Sequence, residues 1–485
     1  MAQAAVLPLE TTSPETAGSC LAKTISPYDW RRLLQLILTM TFPAFLEQGL
    51  ILSVSLSDYL LTGQYFSKEH IAAMCSAGYI TWAVQSVFSF VSVGATAMVA
   101  RYIGAGLPPK ASKCANQAFL VGAGIVVLIL AAWFAFSDQI IAGLQLQGHA
   151  GEYAKQFLWT VLPTTPLIMC TGIGLASLRG AGFMASGFWI MLLVNIVNIV
   201  VAWSLVLGIG PLPELGFQGI AIGTASGLSV GGLATFYLLW RGAYGLRFQW
   251  KQLRPDWSII KQMLWISIPS GIDMSTIIGC QLWFLGLINT LGVAASAAHG
   301  VALRIESLGF APLVAFQLTA ATLAGQFLGA KRPDMAVKAG YLTAAVAAVF
   351  IAIMCTIFYF GADWLPFIFL KSTEVELAKA SAPLIRVIVL GLPMCVLLMV
   401  FIGVLRGAGD TRWPLVISLI GFVCVRISGT YFWAFDEFTW FGHTFTGLGL
   451  GVMGAWMGMA ADMTVRGILV YLRFLWGAWK TIKIE

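Results

Sequence analysis

The sequence predicts an all-α membrane protein with twelve transmembrane helices in two parallel six-helix repeats. Composition, the recurrence of apolar runs and an internal duplication lead to that prediction. Hydrophobic residues make up 59% of the 485 and charged residues only 10%, with a mean hydropathy of +0.86. A soluble domain needs far more charge to cover its surface. Apolar runs long enough to cross a bilayer, bounded by charge or by Gly and Pro, fall near 34–61, 70–99, 116–136, 156–177, 187–209 and 216–239. A second set follows near 262–290, 296–323, 338–361, 382–404, 413–434 and 447–471. Twelve such runs predict twelve spans.

The second six repeat the first. LRGAG stands at residues 178–182 and again at 405–409, an offset of 227. RYIGAGLPPKA (101–111) aligns with QFLGAKRPDMA (326–336) at 225, and Pro43 with Glu47 aligns with Pro269 with Asp273 at 226. One offset through three separate motifs marks a duplication. Both copies of each loop motif lie on one side, so the halves run parallel, as in two-lobed transporters whose central site faces each side in turn. The chain then divides into a tail (1–30), a first lobe (31–240), a basic linker (241–260), a second lobe (261–478) and a short C-terminus (479–485). The tail carries no secretory pattern of basic residues before an apolar core.

Lys and Arg set the expected orientation. Twenty of them fall on the side of the tail, the linker and the LRGAG turns, whereas the other side holds only Lys68, Lys155, Lys371 and Lys379. That split places both termini in the cytosol and the protein in the plasma (inner) membrane. The net charge of +7 is then a matter of topology and anionic lipid, and no nucleic-acid partner is expected. Eight scattered cysteines and four dispersed histidines predict neither a disulfide framework nor a metal or cofactor centre. The GxG-like pieces at Gly104 and Gly329 lack the strand and helix context of a nucleotide site, and no P-loop, GxSxG or HExxH occurs. Energy for transport must come from an ion gradient or from the substrate's own gradient, so an enzyme is not expected.

Charge inside the spans points to function, because such residues are rare there and mark ion or substrate paths. Glu47 and Asp58 share the first run. Eleven residues bring them to about 20° of one helix face and roughly 16 Å apart along the axis. Pro43, a turn before Glu47, offers a bend, as do Pro163, Pro166, Pro269, Pro312 and Pro393. Arg304 and Glu306 in span eight and Arg426 in span eleven call for an ion pair within the second lobe, with Glu306 to Arg426 as the first choice. Asp462 and Arg466, four apart in span twelve, form a helix-face pair. Trp82 and Trp283 are candidates to receive a flat cation, although most aromatic residues belong to packing or interface belts.

Residues also carry a family likeness. SDYLLTG (57–63), LRGAG followed by NIVNIV (195–200), the long run from 297 to 336 and LRGAGDTRWP (405–414) resemble the multidrug and toxic compound extrusion (MATE) family, over about residues 30–478. The resemblance implies a monomeric antiporter in the lipid bilayer, exporting organic and often cationic small molecules in exchange for protons or sodium ions. It also implies that Asp58 couples the cation, with Asn198 and Thr224 as polar partners; Glu47, singled out by its place in the same apolar run, is a further cation-coupling candidate. Where prokaryotic members have a second aspartate, this chain has Ala202. That departure favours protonation of Asp58 alone over a sodium ion beside it. The usual second-lobe glutamate is replaced by Ile277, with Asp273 and Gln281 one turn to either side, so Asp273, Gln281 and Glu306 are the candidates to line that cavity. A carboxylate that faces the cavity cannot hold a proton and a cationic substrate equally well, and that competition is the expected coupling. The alternatives are a lipid-linked glycan flippase of the same superfamily, favoured by abundant cavity Arg and Lys, and a non-transporting membrane enzyme or receptor.

Overall fold

The structure, a computed structural model, describes residues 26, 29–144, 146, 149–209, 213–242, 245–370, 373–440 and 443–482. Most of the tail lies outside the described residues. The chain is a multi-pass bundle, and long apolar sequence dictates helices because only there are all backbone polar groups satisfied without water. The first lobe comprises α1 (Trp30–Tyr65), α2 (Lys68–Gly104), α3 (Pro108–Gly143), α4 (Ala150–Val161), α5 (Thr165–Gly180), α6 (Ala185–Leu207) and α7 (Phe217–Trp240). The second comprises α8 (Trp257–Thr290), α9 (Val293–Gly329), α10 (Pro333–Gly361), α11 (Val375–Ala408), α12 (Arg412–Leu419), α13 (Ser428–Ala434) and α14 (Gly451–Trp476).

Helix ends follow local chemistry. Asp29 accepts from the backbone N–H of Arg32, and Asp256 accepts from those of Ser258 and Ile259, so both halves open on an aspartate cap. Pro108 and Pro333, 225 residues apart, open α3 and α10 where the missing N–H costs nothing. Two spans are broken. A 3-10 turn, Leu162–Thr164, joins α4 to α5 at the two prolines of span four. A π-helix, Ile420–Ile427, joins α12 to α13. Pro43 lies within α1 and Pro269 within α8, whereas the dihedral break in α3 falls at Phe136, which is not a proline. One element was not expected: between α13 and α14 the chain forms an antiparallel hairpin, β1 (Glu437–Trp440) with β2 (His443–Thr446), pairing Phe438 with Phe445.

The two lobes interlock on the side that carries the LRGAG turns, the linker and both ends of the bundle, called here the basic side. Leu33, Ile37, Met40 and Ala44 of α1 pack in the second lobe's core. Met263 and Ile266 of α8, the repeat equivalents of Ile37 and Met40, pack in the first lobe's core. Each lobe therefore buries the opening turns of the other's first helix. The linker is fastened to α3 by side chains: Asn116 and Gln117 donate to the backbone oxygens of Arg247, Gln252 and Arg254, and Lys113 meets Asp256 at 2.5 Å.

Candidate functional site: a buried aspartate within the first lobe

Four glycines at four-residue spacing in α7 (Gly219, Gly223, Gly227 and Gly231) allow α6 to approach almost to backbone contact. A Cβ at Gly223 would lie 2.6 Å from that of Ala202, and one at Gly227 would lie 2.9 Å from the backbone oxygen of Val194. That closeness delivers Asn198 of α6 and Thr224 of α7 to the same face of α1. Thr224 donates to Asp58 Oδ2 at 2.8 Å, and the Asn198 amide donates to Oδ1 at 3.2 Å. Asp58 is 2% exposed. The three residues expected together are together. Ala202 is fully buried against Gly223, so the place of a second acid is filled by a packed methyl group. The Asn198 side-chain oxygen has no partner. With Thr224 and Asp58 it makes a set of oxygen donors of the kind a hard cation takes, though a short one.

Glu47 does not join this group. It is bound to Arg179 at 2.7 Å, with Glu47 fully buried and Gly187 of α6 making room for its second oxygen. Asp273 is likewise removed from the cavity, because Arg406 holds it at 2.7 Å. These are repeat-related pairs. In each, the arginine of an LRGAG turn reaches the carboxylate one turn beyond the span's proline, and in each one carboxylate oxygen and the arginine Nε are left without a partner. Glycine is required at the ends of both turns, Gly182 (φ +98) and Gly409 (φ +87).

The second lobe's charges pair differently from the first choice. Arg426 donates through Nε to Asp462 at 3.0 Å and through a terminal nitrogen to Gln281 at 2.9 Å, while Arg466 grips the same Asp462 with two bonds of 2.6 Å. Glu306 makes no bond to Arg426, and one of its oxygens has no partner. It is 5% exposed and acts on Arg426 only electrostatically. Two arginines therefore share one carboxylate, that of Asp462. Phe422 lies under both guanidinium groups, at 4.8 and 4.1 Å. The π-helix that carries Arg426 was not legible, but Gly421 was a signal: any Cβ there would strike Arg466 and Asp462 at 2.3–2.4 Å. Arg304 takes no part in an ion pair among the described residues, and its side chain is exposed.

Between the lobes, the described hydrogen bonds all lie in the basic-side halves of the helices. Thr41 meets Thr319 at 3.1 Å, Thr322 donates to the Arg179 backbone oxygen at 3.0 Å, and Gln326 donates to that of Gly180 at 3.1 Å. There α2 and α9 touch through repeat-equivalent glycines. A Cβ at Gly104 would sit 1.9 Å from the Gln326 oxygen, and one at Gly329 would sit 2.0 Å from that of Arg101. Toward the far side the facing helices present exposed side chains instead, among them Tyr59, Tyr79, Trp82 and Trp283. The described hydrogen bonds between the lobes and the glycine contact thus gather on the basic side.

A duplicated helical bundle with a buried acid in the first helix of one lobe is the plan of a two-lobed membrane transporter. The profile of the MatE family matches residues 43–204 and 269–432, once in each lobe and more than half of the chain, and the chain belongs to that family. It is 28% identical to a probable multidrug resistance protein NorM of Thermotoga maritima, across 92% of each chain. An FAD transporter of Shewanella oneidensis is 25% identical over 65% of this chain and 70% of its own. A solved structure described as an outward-facing conformation of a multidrug resistance MATE family transporter superposes with a TM-score of 0.85 at 19% identity, covering 96% of this chain and 99% of that one.

Proposed function

We propose that the protein is a secondary antiporter of the plasma membrane, expelling organic compounds, cationic drugs among them, in exchange for protons or sodium ions. The basic side faces the cytosol, and the chain works as a monomer in the bilayer. The multidrug resistance proteins that it resembles along almost their whole length support the substrate class. The observation that carries the coupling is the enclosure of Asp58 by Asn198 and Thr224 inside one lobe, in a helix whose opening turns are held by the other.

This placement changes the expected mechanism. A sealed Asp58 does not compete with substrate by direct contact. Binding a proton or a sodium ion instead alters how tightly α1 is held to α6 and α7. Because α1 also belongs to the second lobe's core, that change is felt in the other lobe. Efflux of a cationic dye from proteoliposomes under separately imposed proton and sodium gradients tests this. Gradient-driven efflux is expected in the wild type and its loss in Asp58→Asn; an inert wild type would remove the antiporter reading.

A further inference from the structure

Each LRGAG turn is held from two directions. Through its arginine it grips an acid of its own lobe, Glu47 by Arg179 and Asp273 by Arg406, each at 2.7 Å. Through its backbone it receives the other lobe. The last carbonyls of a helix have no donor four residues further on, and here the opposite repeat supplies one. Thr322 of α9 donates to the Arg179 oxygen at 3.0 Å and Gln326 to that of Gly180 at 3.1 Å. Arg101 of α2, the repeat equivalent of Gln326, donates to the Ala408 oxygen at 3.4 Å. Gly182 leaves room for this approach, since a Cβ there would stand 3.1 Å from Gln326 Nε2.

The grip on each acid is incomplete. A guanidinium beside a carboxylate forms two parallel bonds where the geometry allows. Arg179 and Arg406 form one each, through Nη2, and their Nε atoms and the acids' second oxygens, Glu47 Oε2 and Asp273 Oδ1, are buried without a partner. The same shortfall in both repeats makes it a property of the arrangement rather than of one side chain. The turn sets where its guanidinium lies, and the donors of the other lobe fix the turn. When the lobes part on the basic side, the three carbonyl bonds pass to water and each turn is released to rotate until Nε meets the second oxygen. Bonds between the lobes and second bonds within them are therefore alternatives.

We propose that the two LRGAG turns are a paired latch with Arg179 and Arg406 as its positioning residues. Bonds from Thr322, Gln326 and Arg101 hold the basic side shut, and completion of the Glu47 and Asp273 pairs stabilises it open. Two states with different contacts in each are what a bistable element requires, and the difference in contacts sets their populations. Glu47 and Asp273 thus favour the open form, although neither bonds to the opposite lobe in the shut one. The proposal rests on the transport reading for the second arrangement of the lobes and goes beyond it in naming what balances the two.

The test is a distance measured by pulsed electron resonance in the full chain in lipid vesicles. Nitroxide-bearing unnatural amino acids replace the exposed Lys110 and Asp334, in the first turns of α3 and α10, directly after the contact of α2 with α9. Thr322→Val with Gln326→Ala is expected to raise the ratio of long to short distances by about fivefold or more. Adding Glu47→Gln with Arg179→Gln to that variant is expected to bring the short distance back, because the open form loses its second bond. Where this combination does not fold, Asp273→Asn with Arg406→Gln carries the same test in the other lobe. A merely structural role for the acid pairs gives the opposite sign, a further lengthening, and would overturn the latch, as would an unchanged distribution in Thr322→Val with Gln326→Ala. Efflux of a cationic dye under proton and sodium gradients is followed on the same vesicles. Shifts of the expected sign without gradient-driven efflux in the wild type would uphold the latch and remove the antiporter reading, whereas efflux with neither shift would do the reverse.

Discussion

Asp58 owes its setting to two neighbours with different duties. Thr224 donates a hydrogen bond to one carboxylate oxygen, and Asn198 both donates to the other and leaves an oxygen free. Thr224→Val keeps the shape and removes the donor, at about 1 kcal/mol for a bond of this kind. We expect this variant to fold, to retain dye binding and to show an altered gradient dependence of efflux; an unchanged dependence would argue against Thr224 tuning the acid. The Glu47–Arg179 pair makes the opposite kind of prediction. Glu47→Gln leaves a mostly buried guanidinium uncompensated, on the order of 3 kcal/mol, and the double change with Arg179→Gln should recover much of that loss. Thermal unfolding in detergent reads both, and additive losses would show that the two residues do not act as a pair. At this scale the sequence was partly legible. The Asp58, Asn198 and Thr224 group followed from matching motifs. The partners of Glu47, Asp273 and Arg426 did not, because they stand 132, 133 and 36 residues away and meet only through helix rotation and register.

Among the elements, the contact of α2 with α9 is the one whose failure should be visible. Gly104→Ala places a methyl group where a backbone oxygen already sits, and backbone cannot step aside as a flexible side chain can. Gly104→Ala, and equally Gly329→Ala, should hold the lobes apart on the basic side. Spin labels on the two helix ends should then report a longer or broader distance than in the wild type, and an unchanged distribution would refute the contact's role. The linker offers a pH test. The Lys113 ammonium bonded to Asp256, followed by the backbone N–H of Ile259, holds the Asp256 carboxyl below the 3.8 of a free aspartate. A group whose folded value is lowered stabilises the folded form above its unfolded value, and that contribution fades as pH falls through the lower one. Linker docking should therefore be indifferent to pH from neutrality down to about 4 and loosen below it, with Asp256→Asn loosened throughout; proteolysis by an acid-active protease follows this. Element positions were legible because an apolar run of spanning length leaves no other choice. The π-helix and the β1–β2 hairpin were not, since the first depends on packing against α14 and the second on loop chemistry, neither of which hydropathy records.

For the whole molecule, the duplication was legible in three short motifs and proved to govern more than topology. The same offset relates the acid–arginine pairs, the glycine contact and the exchange of opening turns between lobes. What could not be read from sequence was that the copies touch each other, since offset alone says that two segments are alike and not that they meet. If the exchange of Ile37 and Met40 for Met263 and Ile266 joins the lobes as drawn, half-proteins divided within 241–249 and produced together should co-purify from detergent through a tag on one of them. Halves that separate cleanly would contradict the interlocked cores.

The hairpin between α13 and α14 has a practical bearing on topology. Its ribbon stands on the face opposite the chain ends, and every residue of β2 is exposed. An epitope grafted into that ribbon should be stained by antibody on unbroken cells, while a label at either terminus should need permeabilised ones. The reverse pattern would turn the protein over in its membrane, and with it the direction in which it carries its cargo.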